Sequence, residues 1–207
     1  MKKRIISTLV VLALLFSMLI GCMFSGGDDD ANLNIIDDNY RNYYEIFVGS
    51  FYDSDGDGMG DLNGVTEKLD YITDLGCNGI WLMPIMPSPT YHKYDVEDYY
   101  TIDSNFGNRD DLLLLVEKAH ELDLKVIIDL VFNHTSTNFF AFQDLLLNQE
   151  KSQYKDWYIV SEYPVKIEEN PKYKCFSRVK EMPKLNTANE EVQNYLIDVA
   201  LNYIQYF

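Results

Sequence analysis

The chain has 207 residues, 47% of them hydrophobic and 24% charged, a globular composition with room for one real core. Its formal net charge is −16, and so acidic a surface excludes the basic patches on which nucleic-acid binding depends. Sixteen tyrosines suit either sugar- and partner-facing surfaces or ordinary packing.

Lys2, Lys3 and Arg4 precede an apolar run from Ile5 to Ile20, the layout of a secretory signal. The run is shorter than the ~20 apolar residues of a usual membrane span. It ends in "LIGC", Leu19 to Cys22, which resembles the lipobox of bacterial lipoproteins. Residues 1–21 are therefore expected to be a signal peptide, with Cys22 lipidated. The mature chain would be exported and lipid-anchored at the bacterial cell envelope, the membrane being its partner through Cys22. An ordinary signal peptide or a short anchor is the alternative. Residues 22–42 read as a polar, Gly/Asp-rich tether.

From Tyr43 on, apolar strands alternate with helix-period segments. "YYEIFVGSFY", Tyr43–Tyr52, is aromatic and β-branched and predicts the first strand. "DSDGDGMGD" follows, with Asp53, Asp55, Asp57, Gly58 and Asp61 at positions 1, 3, 5, 6 and 9 of an EF-hand loop. Met59 would offer its backbone carbonyl at position 7, whereas Gly64 stands where position 12 requires Glu. Carboxylates on a Gly-rich turn suit calcium, a hard cation, held by Asp53, Asp55, Asp57, Met59 and Asp61; a solvated acidic turn is the alternative.

Leu62, Val65, Leu69 and Ile72 then recur at helical spacing up to Gly76. "GIWLMP", Gly79–Pro84, predicts strand two. Behind it, "MPSPTYHKYDVEDYY" places Tyr91, His92 and Tyr94 on a loop at the strand's C-terminal end. Asn108 predicts the cap of a helix whose buried stripe is Leu112, Leu115, Val116 and Ala119. "KVIIDLVF", Lys125–Phe132, predicts a third strand, and its continuous apolar run suits burial on both faces. Asp129 interrupts that run, and Asn133 and His134 mark its C-terminal end. Residues 135–185 show no clear period. Regularity returns with Thr187 and Glu190 at capping-box spacing, then a stripe of Val192, Tyr195, Leu196, Val199 and Tyr203. Cys77 and Cys175 match neither zinc-site nor disulfide-scaffold spacing.

Strand, helix, strand, helix, strand opens a wound α/β fold or a (β/α)8 barrel. "DLVFNH" resembles the first short motif of the alpha-amylase family of glycoside hydrolases. "YEIFVGSFYDSDGDGMGDLNGV", "LGCNGIWLMPIMPSPTYHKYDVEDYY" and "FGNRDDL" resemble that family in the same order, over roughly Tyr43 to Phe207. The resemblance implies an α/β fold, the N-terminal part of a (β/α)8 TIM barrel. Residues 43–134 would hold strands one to three, 135–185 a small inserted second domain, and 186–207 the third barrel helix. It implies hydrolysis or transfer of α-glucosidic bonds with retention, on α-glucans such as starch and maltodextrins. Carried over by position, His134 would hydrogen-bond the sugar in the cleavage subsite. Tyr94 would stack under it. Independently of the resemblance, Tyr91 on the same loop is expected to bind substrate because aromatic rings stack on the apolar faces of sugars; ordinary loop packing is the alternative. Asp129 would support the site through an arginine from strand four. Asn133 would be a calcium ligand between the two domains, as in family members that carry a metal there, and Asp53–Asp61 a separate calcium site. "MPKLN", Met182–Asn186, departs from the family, since Lys184 stands where Asp is usual. Strand four, with the nucleophile, acid/base and third carboxylates in and beyond it, is expected after Phe207. These 207 residues are thus expected to be inactive by themselves. The rival reading is a non-catalytic surface lipoprotein that binds glucan or calcium.

Overall fold

A computed structural model describes residues 41–207, so the signal peptide, Cys22 and nearly all of the tether lie outside the described residues. Three parallel strands form one sheet in the order β1 (Tyr43–Ile46), β2 (Gly79–Leu82), β3 (Lys125–Ile128). Their register pairs Tyr43 with Gly79 and Gly79 with Lys125, and Ile46 with Leu82 and Leu82 with Ile128, so the C-terminal ends are level. Each crossover is helical: α2 (Leu62–Glu67) and α3 (Leu69–Asp74) join β1 to β2, and α4 (Arg109–Glu121) joins β2 to β3. This is the N-terminal part of a parallel (β/α)8 barrel.

The strand alternation divides the sheet into two faces. Ile46, Ile80 and Leu82 are buried in the core with Leu62, Val65, Leu69 and Ile72 of α2–α3 and Leu112, Leu115, Val116 and Ala119 of α4. Trp81 and Ile127, neighbours in register, remain exposed on the other face, which points inward in a barrel. β3 is accordingly not buried on both faces, contrary to its apolar run: it is an edge strand among the described residues, and its residues alternate between exposed and half-buried. β1 is also shorter than the sequence suggests. Val48–Phe51 turns into the short helix α1. The next helix breaks at Lys68, whose ammonium lies 3.8 Å over the Tyr52 ring.

Asn108 caps α4 with a full capping box: its side chain accepts from the Asp110 N–H (2.8 Å), and Asp111 accepts from the Asn108 N–H (2.8 Å). Asp111 also accepts from Asn63 Nδ2 (3.0 Å), tying α4 to α2. Residues 135–185 hold α5 (Phe140–Asn148), three 3-10 turns and isolated antiparallel bridges. α6 (Glu190–Ile204) buries Val192, Leu196, Val199 and Tyr203, with Tyr195 half-buried. Its cap is Asn189, not Thr187. The Asn189 side-chain Oδ1 accepts from the N–H groups of Glu191 (2.8 Å) and Val192 (3.2 Å). Cys77 and Cys175 are free thiols. Among the described residues, no helix is long and apolar enough to cross a membrane.

Candidate active site

The residues after the three level strand ends face a common region. The loop behind β2 and the residues behind β3 are joined by Tyr94, whose hydroxyl donates to Asp129 Oδ2 at 2.9 Å. Partial burial, then the bond to this carboxylate, pushes the Tyr94 phenol up to about 12, so it stays a donor. Asp129 lies just past β3 rather than within it. Its N–H still donates to Leu82 O (2.9 Å), which carries the strand ladder one residue further.

His134 is buried. Its Nδ1 lies 3.0 Å from Asn133 Nδ2, and its ring stacks on Phe176, with centroids 4.6 Å apart and planes 8° from parallel. An amide nitrogen only donates, so Nδ1 accepts in this arrangement and a neutral ring carries its proton on Nε2. Burial pushes His134 below the ordinary histidine value. The Asp95 charge and the Tyr94 backbone act the other way, while Lys184 and His92 lower it further. The backbone of Lys184 bridges that of His134.

Next to Tyr94 stands Asp95, 1% exposed. Its Oδ1 accepts from Ser88 Oγ (2.6 Å) and from the Thr90 hydroxyl. Asp95 Oδ2 and His134 Nε2 are both buried and lack a hydrogen-bond partner among the described residues. An unmet buried group costs about 1–3 kcal/mol, and native proteins tolerate few of them outside functional sites. Sequence reasoning passed over Asp95, although it directly follows Tyr94, because a carboxylate in a polar loop gives no sign of burial. Phe176 carried no signal, lying in the aperiodic segment. Tyr91 is 79% exposed and meets Phe47 (6.2 Å) and His92 (5.4 Å) edge-on, extending an aromatic rim from the end of β1.

The loop that carries these groups is pinned by a buried ion pair. Lys93 Nζ lies 2.6 Å from Asp103 Oδ2 and 5.4 Å from the Phe106 ring centroid. Lys93 itself takes a left-handed conformation, φ +64°.

The acidic loop lies behind β1. Oxygens of Asp53, Asp55 and Asp61 come within 4.8 Å of one another, a hard-oxygen donor set that fits calcium. The Gly58 and Gly56 N–H groups donate to Asp53 and hold its carboxyl below the usual range. Burial pushes Asp61 up, but bonds from the Ser54 N–H, the Gly64 N–H and the Ser54 hydroxyl outweigh it, so its carboxyl is also lowered. Asp61 thereby also caps α2. Asp57 is not brought into the trio: its carboxylate accepts from the Met59 N–H (2.7 Å) within the turn. The Asn133 amide nitrogen is engaged with His134 Nδ1.

Parallel strands whose C-terminal ends gather aromatic rings, a buried imidazole and carboxylates define the active face of a barrel-type enzyme. The chain belongs to the alpha-amylase family, matching the alpha amylase catalytic domain over residues 45–206. It is 48% identical over 148 residues to a cyclomaltodextrinase of Geobacillus thermopakistaniensis, covering 72% of this chain and 25% of that enzyme. It is 45% identical to an intracellular maltogenic amylase of Bacillus subtilis, again covering 72% of this chain and 25% of the relative. Among solved structures, the alpha-amylase of H. orenii superposes with a TM-score of 0.72 at 44% identity, over 80% of this chain and 38% of that one. The cyclic alpha-maltosyl-(1→6)-maltose hydrolase of Arthrobacter globiformis gives 0.76 at 30% identity, over 80% and 42%. The matched stretch is thus about a quarter of the length of the first two relatives.

Proposed function

We propose that residues 43–207 form the substrate-gripping part of an exported, lipid-anchored glycoside hydrolase that acts on α-glucans such as maltodextrins with retention. The observation that carries the reading is the buried acceptor Asp95 Oδ2 and the buried donor His134 Nε2, both unmet, with Tyr94 next to Asp95 in the chain and its backbone acting on His134. A sugar offers hydroxyls that donate and accept and an apolar face that stacks on an aromatic ring. The names of the relatives, cyclomaltodextrinase and maltogenic amylase, support α-linked glucose as the substrate class.

His134 and Asp95 hold hydroxyls in this reading, Tyr94 supports the sugar from below, and Asp129 fixes Tyr94. Tyr91 meets the glucan further along the rim. Residues 135–185 act as the inserted domain. Retaining cleavage needs two carboxylates about 5–5.5 Å apart, one as nucleophile and one as acid/base. The family resemblance assigns neither to a residue in this stretch, so residues 43–207 supply binding and orientation rather than bond cleavage. Asp53, Asp55 and Asp61 would hold a calcium ion that braces the loop behind β1, and Cys22 would carry the lipid.

Calorimetric titration of the chain with maltotriose tests the reading. Maltotriose is expected to bind and cellotriose is not. His134→Ala should weaken maltotriose by about tenfold, the equivalent of one good hydrogen bond. Equal binding of both sugars, or an unchanged affinity in His134→Ala, would sink it. Calcium binding without sugar binding would favour a metal-binding surface protein instead.

A further inference from the structure

Phe176 is 45% exposed, yet it sits on a tightly fixed turn. Its N–H donates to Met182 O (2.9 Å), Val179 N–H donates to Phe176 O (2.8 Å), and the Tyr173 hydroxyl donates to Lys180 O (2.7 Å). Antiparallel bridges at Cys175–Pro183 and His134–Lys184 dock this turn against the end of the β3 segment. The two residues that follow, Ser177 and Arg178, adopt φ +48° and +65° without being glycine. Left-handed backbone at such residues is unfavourable and persists only where the surroundings impose it. The outcome of these constraints is one contact: the Phe176 ring lies parallel to the His134 imidazole at 4.6 Å.

A histidine ring is held by little when it sits free, because its χ2 well is broad. Asn133 Nδ2 fixes one edge of His134 through Nδ1, and an edge contact of this kind permits tilting about its own axis. Phe176 supplies what the edge contact lacks, a flat surface against the ring face. An aromatic side chain nearly half in solvent gives little as core packing, so its placement is better explained by what it does to the imidazole.

We propose that Phe176, contributed by the segment between β3 and α6, is a positioning residue that clamps the His134 ring so that Nε2–H is held in place for a sugar oxygen. The inference rests on the reading of His134 as a sugar-facing group, and the experiment separates the two. The chain has three histidines, so the ring protons of His134 can be assigned by NMR with His134→Gln as the reference. In the full chain one histidine should show the upfield shift of a ring stacked face to face on an aromatic. Phe176→Leu keeps an apolar side chain but removes the ring, and should abolish that shift. Phe176→Tyr should retain it. Maltotriose affinity should fall roughly two- to tenfold in Phe176→Leu, the range of one aromatic pair, and recover in Phe176→Tyr. With Phe176 so exposed, circular dichroism should be unchanged in both variants. An upfield shift missing from the parent, or one that survives Phe176→Leu, overturns the clamp. A lost shift with unchanged maltotriose affinity overturns the positioning role. If the parent does not bind maltotriose, the glucan reading fails, while the ring shift still decides whether Phe176 holds the imidazole.

Discussion

Removing either partner of the Lys93–Asp103 pair should loosen the loop that carries Tyr91, His92, Tyr94 and Asp95, and the two removals should differ. Both side chains are buried, 10% and 9% exposed, with 2.6 Å between Nζ and Oδ2. At an effective dielectric of about 20 their attraction is on the order of 6 kcal/mol, most of it offset by desolvation. What matters is the group left behind. Asp103→Leu strands an ammonium ion, whose remaining neighbour is the Phe106 ring at 5.4 Å. A cation–π contact returns about 0.5–2 kcal/mol, against a cost of about 3–5 kcal/mol for breaking a buried pair. Lys93→Met keeps the stem packed and leaves a carboxylate that still accepts from the Asn105 N–H at 3.0 Å. Its cost should be nearer 1.5–3 kcal/mol, the approximate worth of a charged hydrogen bond. The double variant should lose less than the sum of the two, because no charge is stranded. Urea unfolding followed by tryptophan fluorescence, run as a double-mutant cycle, measures all three. Additive losses below about 0.5 kcal/mol each would refute the claim that this pair is a buried anchor.

Three further outcomes are expected. Calcium should raise the melting temperature of the chain and EDTA should reverse it. Asp55→Ala should erase that response while Asp57→Ala preserves it, since Asp57 bonds only within its own turn; a melting temperature indifferent to chelator would dispose of a stabilising metal. Gly64→Ala places a methyl 2.0 Å from the Tyr52 carbonyl oxygen, a backbone atom already bonded to the Asp61 N–H. It should destabilise by about 1–3 kcal/mol, the usual range for overpacking, and an unchanged thermal melt would contradict the close approach. Cys22→Ser should move the expressed protein from the membrane pellet to the soluble exported fraction, because two acyl chains anchor stably where one is marginal. An unmutated protein already found in the soluble fraction would remove the lipid anchor.

Much of the local structure was legible in the sequence because it depends on neighbours a few residues away. Asn108 as a cap, the stripe Leu112, Leu115, Val116 and Ala119, and the turn of aspartates between Asp53 and Asp61 all follow from backbone geometry and short-range periodicity. The short motifs around Tyr94 and His134 likewise marked the segments that follow β2 and β3. Tertiary structure decided which polar groups lose water and what they meet once dry. Asp95 and Asp98 look alike in "YDVED", yet Asp95 is buried with one oxygen unmet, whereas Asp98 accepts from the Tyr100 N–H and the Thr101 hydroxyl at the surface. Asn189 rather than Thr187 caps α6, and β1 ends at Ile46, because the chain must turn where packing requires it and not where the apolar run stops. The contact between Phe176 and His134 joins residues far apart in the chain through a turn held by non-local hydrogen bonds. No periodicity encodes such a contact. It exists only once the segment between β3 and α6 has folded back over the strand ends.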